Sequence, residues 1–413
     1  MRIEGTFVIV GASLAGAKAA EVLRREGFGG RIVLIGEEPQ RPYERPPLSK
    51  EYLRGEAGPE KAYVHDERFY GEHEIELRTS VRVVAIDPAA AQVVFGDLTR
   101  LRYDRLLLAT GAVPRRLSIP GSDLPGVHYL RTIEDSERLT QAITPASKVV
   151  VVGAGWIGSE VAASARQIGA EVVLIERGRL PLERVLGAEV GAVYRDLHTT
   201  HGVEFLSDTG IEAVDGARSV EAVRTSTGRS IACDVVVIGV GAVPRVELAE
   251  AAGLLVEDGI AVDERLETSV PGVFAAGDAA AAWHPFYQAR IRVEHWANAL
   301  HQGEVAARNM LGLATPYERL PYFYSDQYDL GMEYTGYAPS WDKVVFRGDP
   351  GTRQFIAFWM SNGRVVAGMN ANVWDVTGPI GELIRRRIPI DAARLADPQV
   401  PLEDLVGTSQ AKR

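Results

Sequence analysis

The chain has 413 residues, 46% hydrophobic, 24% charged and 8% aromatic, a balance that excludes long disorder, a fibrous repeat and a peptide-sized scaffold. Its 45 basic and 55 acidic side chains leave a net charge of −10, which argues against nucleic acid as the principal partner. One cysteine, Cys233, excludes an intrachain disulfide, a CxxC redox pair and a Cys-rich zinc or iron–sulfur site, so any redox chemistry must be carried by a bound cofactor.

In chain order, Met1-Arg2-Ile3-Glu4-Gly5 runs straight into Phe7-Val8-Ile9-Val10 without an apolar leader. Nowhere do ~18 apolar residues run together, so a cytoplasmic protein without a membrane partner is expected. Residues 7–38 form a β-branched run, a Gly-rich turn, an Ala-rich stretch at helical spacing and a second β-branched run ending in an acid. That is a βαβ unit, and 149–177 repeats it. Short alternating runs at 79–104 predict a β-meander, and 203–232 predicts another. The strand-like run 106–109 leads into Gly111-Ala112-Val113-Pro114-Arg115, echoed after 235–238 by Gly241-Ala242-Val243-Pro244-Arg245. Residues 113–126, rich in proline and glycine, read as a crossover linker. Cys233 opens an apolar run and is expected in the core. From about Pro321, aromatic-rich short strands (322–324, 343–346, 355–359) and a helix around 380–387 predict a third, α+β domain.

The first turn reads Gly11-x-Ser13-x-x-Gly16. Its first glycine permits the tight turn, the middle position lets backbone approach a pyrophosphate, and the third allows close helix–strand packing, with phosphates at the helix N-terminus. Ser13 replaces the usual middle glycine but is small. Glu37, 26 residues on, ends the next strand, where an acid accepts hydrogen bonds from ribose hydroxyls. The second copy is Gly153-x-Gly155-x-x-Gly158, with Glu176 23 residues on. That acid suits an unphosphorylated ribose and repels a 2′-phosphate, so NADH is expected over NADPH. Arg177, Arg179 and Arg184 are the guanidinium groups that would take a 2′-phosphate.

Two dinucleotide fingerprints in one chain read as FAD in one and a nicotinamide in the other. The segment 268–278, an apolar strand ending in Gly277-Asp278, is the arrangement that presents a carboxylate to a flavin's ribityl chain. FAD is therefore expected in a domain of residues 1–110 and 237–318, NADH in 111–236, and the third domain at 319–413. The eight histidines lack metal spacing. His198 and His201 are expected on a helix surface, His284 and His295 receive no role, and no metal site is expected.

Residues 42–50 (Pro-Tyr-Glu-Arg-Pro-Pro-Leu-Ser-Lys), 126–132 (Gly-Val-His-Tyr-Leu-Arg-Thr), 272–278 and Ser325-Asp326-Gln327-Tyr328 together resemble the FAD-dependent ferredoxin reductases of oxygenase systems. The resemblance covers nearly the whole chain. It implies an α/β, glutathione-reductase-like fold, with two Rossmann-type dinucleotide-binding domains and a C-terminal α+β domain. It also implies electron delivery from NADH through FAD to a 2Fe-2S ferredoxin that supplies a haem monooxygenase or a Rieske-type oxygenase. Carried over by motif, Gly11, Ser13, Leu14, Ala15, Gly16, Glu37, Arg45, Lys50, Val83, Thr110, Gly111, Arg131, Asp278 and Trp296 are implied to hold FAD. Gly153, Gly155, Ile157, Gly158, Glu160, Glu176, Arg177, Arg184 and Gly241 are implied to hold NADH. Lys50 and Glu160 are implied as the catalytic pair: a cation near flavin N5 favours the reduced flavin, and the carboxylate compensates the lysine and bonds the nicotinamide amide. Hydride transfer needs no general base or covalent nucleophile. Where relatives commonly carry Trp before Ser-Asp-Gln, this chain has Tyr324, which bears on partner choice.

Ferredoxins of this type are acidic, so docking calls for local positive charge. Arg290, Arg292, Arg308 and Arg386 are the candidates, although the run 385–387 also reads as a cationic helix end. A monomer or weak homodimer is expected. Alternatives are a rubredoxin reductase and a non-turnover FAD/NADH-binding sensor of the apoptosis-inducing-factor kind. Cys-dependent relatives lack their cysteines here, and the polar, proline-broken 397–413 tail argues against a membrane-bound quinone reductase.

Overall fold

The computed structural model describes residues 4–405, so the first three residues of the expected leaderless start and the end of the 397–413 tail lie outside the described residues. The chain divides into two compact units. One comprises the residues up to Pro46 with Gly58–Val113 and Ala242–Arg319; the other comprises Pro47–Ala57, Pro114–Gly241 and the residues from Leu320 on.

In the first unit the strand Thr6–Val10 is buried from Phe7 onward, as a strand covered on both faces must be. It pairs in parallel with Arg31–Ile35 on one side and Arg105–Leu108 on the other. Ile75–Arg78 and Val273–Ala275 complete the five-stranded sheet. The chain winds outward one way, then returns to build the other side, so the order reverses beside Thr6–Val10. A crevice for a ligand opens at the carboxyl ends of the strands at such a switch point. The meander at 79–104 is present as antiparallel Val83–Asp87, Gln92–Phe95 and Arg100–Arg102. Helix Leu14–Arg25 turns its alanines inward and lies so close to helix Trp296–Met310 that a Cβ on Gly303 would be 2.4 Å from Ala15 O.

The second unit repeats this plan with Lys148–Val152 at the centre, flanked by Glu171–Ile175 and Val235–Ile238, with Glu204–Leu206 and Val127–His128 at the edges. Two expected boundaries are corrected. Val235–Ile238 is a strand of this sheet, so the first unit resumes at Ala242 rather than at 237. Glu204–Leu206, expected in the second meander, extends the parallel sheet instead, leaving Ile211–Asp215, Ala222–Thr225 and Ser230–Ala232 as the meander.

The C-terminal strands form a five-stranded antiparallel sheet in the order Tyr322–Gln327, Leu330–Gly336, Arg364–Ala371, Gln354–Ser361, Lys343–Asp349. One face packs under helix Thr377–Arg386, where Ile380 meets Gly368. The other buries Phe323, Tyr334, Phe355 and Trp359 against Leu186, Val190, Tyr194 and Leu197 of helix Glu183–Thr200. Trp359 Nε1 donates to Leu186 O at 3.1 Å. This shared core joins the expected third domain to the second unit, and each large side chain in it is worth ~1.5–3 kcal/mol of burial.

Among the described residues, no helix is long and apolar enough to cross a membrane, and no cluster of three metal-ligating side chains occurs. Cys233 is buried, and burial pushes its thiol up to about 12.

Candidate functional site

Strand Thr6–Val10 delivers Gly11 at φ +120°, where a Cβ would lie 2.0 Å from Ala109 O. Only glycine fits that approach. A Cβ on Gly16 would lie 2.0 Å from Gly11 O, so the helix is seated directly on the turn. Ser13 is the N-cap in extended conformation, yet its side chain makes no cap hydrogen bond and no acid occupies the first turn. The N-terminal amides of Leu14, Ala15 and Gly16 and the helix dipole thus form an anion seat of the kind a pyrophosphate occupies. At Gly155, the counterpart of Ser13, a Cβ would meet nothing within 4 Å, so a serine costs such a turn no space.

Glu37 follows strand Arg31–Ile35 and is gripped by Arg245, whose Nη1 and Nη2 both reach its carboxylate. The Arg245 hydrogen bond holds Glu37 below the usual carboxylate range. Arg245 is itself fixed, its N donating to Gly111 O at 2.9 Å and its O accepting from Thr110 Oγ1 at 2.7 Å. Arg45 donates to Glu38 Oε1 at 2.9 Å and to the Tyr43 hydroxyl at 3.2 Å, and it feels the charge of Asp278. Asp278 sits in the short turn Gly277–Ala279 after strand Val273–Ala275, and Trp296 begins its helix. Val83 is buried in the meander. Lys50 and Arg131, expected with this group, belong to the second unit, where Arg131 N donates to Asp135 Oδ2 at 3.0 Å. The donors and cradle of the first unit fit an FAD adenosine and pyrophosphate.

The second cradle has the same construction. A Cβ on Gly153 would lie 2.4 Å from Gly239 O, and one on Gly158 would lie 1.9 Å from Gly153 O. Gly155 caps helix Trp156–Ile168 without a side-chain hydrogen bond. Beside both Gly155 and Gly241 there is open space. Ile157 leaves a large apolar side chain exposed on the first turn. Glu176 is oriented by backbone, Oε2 accepting from Ala154 N at 2.7 Å and Oε1 from Gly178 N at 2.9 Å. A carboxylate has further lone pairs, so ribose hydroxyls still find acceptors there. Arg177 and Arg184 are exposed, and Arg179 is paired with Glu183 at 2.5 Å. This set fits the adenosine half of NADH.

The second unit also holds the charge pair. Pro47–Ala57 is fastened there by Ser136 Oγ on Leu48 O at 2.8 Å and Ser164 Oγ on Ser49 O at 2.7 Å. Lys50 Nζ lies 2.8 Å from Glu160 Oε2, with both side chains nearly buried. A buried ion pair persists only where its remaining lone pairs are satisfied. Here Ser49 Oγ and Ser325 Oγ both donate to Glu160, the latter at 2.7 Å. The Tyr324 ring centre lies 5.9 Å from Lys50 Nζ, so Tyr324 takes part in a cation–π contact.

One expectation is revised. His198, expected on a helix surface, is fully buried because its face of helix Glu183–Thr200 packs on the C-terminal sheet; burial pushes it down to about 4. The candidate docking arginines each have an acidic neighbour. Arg290 pairs with Glu257 at 3.2 Å, Arg292 with Glu294 and Asp258, Arg308 with Glu26 and Glu304, and Arg386 lies 3.8 Å from Glu382. Arg245, Ser49, Ser325 and Gln327 gained no role from sequence, although each lay inside a stretch already marked by repetition or resemblance.

The pyridine nucleotide-disulphide oxidoreductase family matches residues 5–303, and the reductase C-terminal family matches 322–406. Rhodocoxin reductase of Rhodococcus erythropolis is 37% identical over 96% of this chain and 93% of its own. The ferredoxin–NAD(+) reductase component of an anthranilate 1,2-dioxygenase system from Burkholderia cepacia is 39% identical, covering 96% of this chain and 98% of that one. The crystal structure of a covalent putidaredoxin reductase–putidaredoxin complex matches with a TM-score of 0.95 at 35% identity, over 99% of each chain. The single cysteine leaves the disulphide of the family name without a counterpart here. The chain belongs to the pyridine nucleotide-disulphide oxidoreductase family and, within it, to the ferredoxin reductases of oxygenase systems.

Proposed function

We propose that this chain is an FAD-dependent NADH:ferredoxin oxidoreductase that supplies a 2Fe-2S ferredoxin, and through it a haem monooxygenase or Rieske-type oxygenase. The observation that carries this reading is a buried Lys50–Glu160 pair in a chain that has two dinucleotide cradles and one inert thiol. FAD held by the first unit would supply the chemistry that links a two-electron donor, NADH, to a one-electron acceptor.

The chain's own residues bind and orient. Gly11, Ser13 and Gly16 with the helix N-terminus take the FAD pyrophosphate, Glu37 its adenosine ribose, and Arg45, Asp278 and Trp296 its remaining length. Gly153, Gly155, Gly158 and Glu176 take NADH, with the acid favouring it over NADPH. Lys50 supplies positive charge for the reduced flavin, and Glu160 keeps the lysine in place and offers an acceptor to the nicotinamide amide. On this reading the first unit is the FAD domain, 114–241 is the NADH domain, and the C-terminal sheet carries Tyr324 toward ferredoxin selection. Of the arginines, Arg386 with its neighbours Arg385 and Arg387 is the docking candidate we favour, because the three form the longest basic run in the chain.

The deciding experiment reconstitutes the protein with FAD and follows NADH-driven reduction of several 2Fe-2S ferredoxins and a rubredoxin. Prompt multiple turnover with a ferredoxin is expected. A protein that retains no flavin, or that turns over rubredoxin alone, overturns the reading. Lys50→Ala is expected to slow flavin reduction at least about tenfold; a change within about twofold removes Lys50 from its role.

A further inference from the structure

Glu160 ends a chain of hydrogen bonds that begins on helix Glu183–Thr200. Gln327 Nε2 lies 3.3 Å from Ser325 Oγ, and Gln327 Oε1 lies 3.0 Å from His198 Nε2. An amide oxygen only accepts, so His198 donates from Nε2 and is the Nε2–H tautomer. Its Nδ1 then accepts from the Tyr328 hydroxyl at 3.3 Å. Ser325, receiving a proton donor from the amide, gives its own proton to Glu160 Oε1 at 2.7 Å. Every donor points one way: Tyr328 to His198, His198 to Gln327, Gln327 to Ser325, Ser325 to the carboxylate.

Ser325, Gln327 and His198 are each at most 1% exposed, so water does not substitute for a missing member. Burial also keeps the imidazole neutral, pushing it down to about 4, and only the neutral ring can both donate to Gln327 and accept from Tyr328. An amide does not carry protons onward, so this array is not a proton path. Its effect is directional, since aligned hydrogen bonds polarise one another.

We propose that His198 is a positioning residue for Glu160: by fixing which end of the Gln327 amide meets Ser325, it obliges Ser325 to donate to the carboxylate that holds Lys50. Without the His198 donor the amide turns over and offers its oxygen to Ser325. The serine proton then goes to Gln327, and Glu160 loses one buried donor. The inference deepens the reading of Lys50 and Glu160 as the pair that governs flavin reduction, and it rests on that reading.

The test compares His198→Gln, which keeps a donor at the Nε2 position, with His198→Leu, which keeps bulk and removes it. In single-turnover reduction of bound flavin by NADH, the leucine variant is expected to be about tenfold slower with NADH affinity unchanged, and the glutamine variant within about threefold of wild type. A leucine variant at the wild-type rate, or a glutamine variant as slow as leucine, overturns the proposal. The second readout needs no turnover. In histidine-labelled protein, the nitrogen resonances lost in His198→Gln are expected to report a neutral Nε2–H ring from pH 7 to 5; an Nδ1–H or charged ring overturns the proposal by itself. Glu160→Gln separates the two levels, since a wild-type rate there removes the underlying role of the pair, whereas a wrong tautomer removes only the relay.

Discussion

Arg245 and Glu37 lie 208 residues apart in sequence, yet the guanidinium spans the carboxylate with both terminal nitrogens, Nη2 to Oε2 at 3.0 Å. The backbone of Arg245 is pinned at Gly111 and Thr110, so on the proposed reading the Glu37 carboxylate is aimed before a ribose arrives. Preorganisation of this kind lowers the ordering cost of binding. Arg245→Ala is expected to weaken FAD binding about tenfold, ~1.4 kcal/mol, read as the dissociation constant from flavin fluorescence. An unchanged constant would show that the ion pair serves folding alone.

The proposed basis of nicotinamide choice is Glu176, whose two oxygens are fixed by the Ala154 and Gly178 amides. Glu176→Ala is expected to lower NADH efficiency about tenfold while NADPH efficiency rises, because the repulsion of a 2′-phosphate is gone. Should wild-type protein already use NADPH better than NADH, the exposed Arg177 and Arg184 set the preference instead.

His198 gives the fold an acid-sensitive component. In the unfolded chain the ring binds a proton near 6.5, and in the fold only near about 4. Between those values the unfolded state holds more protons, so this contribution is complete above about pH 6.5 and is lost as pH falls toward about 4. The loss is on the order of 3 kcal/mol. Urea denaturation at pH 7 and 4.5 is expected to show a smaller pH difference for His198→Gln than for wild type; equal differences would place the titration elsewhere.

Partner selection is expected to separate from flavin reduction at Tyr324. Tyr324→Trp keeps the cation–π contact with Lys50 and is expected to leave reduction by NADH within about twofold while altering the ferredoxin Michaelis constant severalfold. Equal effects on both half-reactions would place Tyr324 in flavin positioning.

Charge reversal tests the docking proposal. Arg386→Glu is expected to raise the ferredoxin Michaelis constant about fivefold at low salt and hardly at high salt. Arg308→Glu, at a residue paired with Glu26 and Glu304, tests the face that carries Arg308 in the same way. A salt-sensitive rise for Arg308→Glu alone would move the ferredoxin to the face that carries Arg308.

The two cradles were legible in sequence because their demands are local. A turn that needs φ +120° at Gly11 and backbone contact at Gly16 leaves little choice of residue, and the β-branched runs on either side name the strands. The allegiance of Pro47–Ala57 was not legible, because it is decided by hydroxyls of Ser136 and Ser164, far along the chain. His198 shows the same limit from another side. Its helix spacing suits a surface as well as a buried face, and only the aromatic sheet that arrives at 322–371 decides between them. Ser325 and Gln327 stood inside a marked motif, but the direction of their hydrogen bonds depends on a histidine on another element.

The placement of Cys233 has a practical corollary. With its thiol in the core and pushed up to about 12, the native protein offers maleimides and gold no reactive sulfur. A cysteine introduced at any chosen surface position would therefore be the single handle for a dye or an electrode, without first stripping the wild-type sequence of competing thiols.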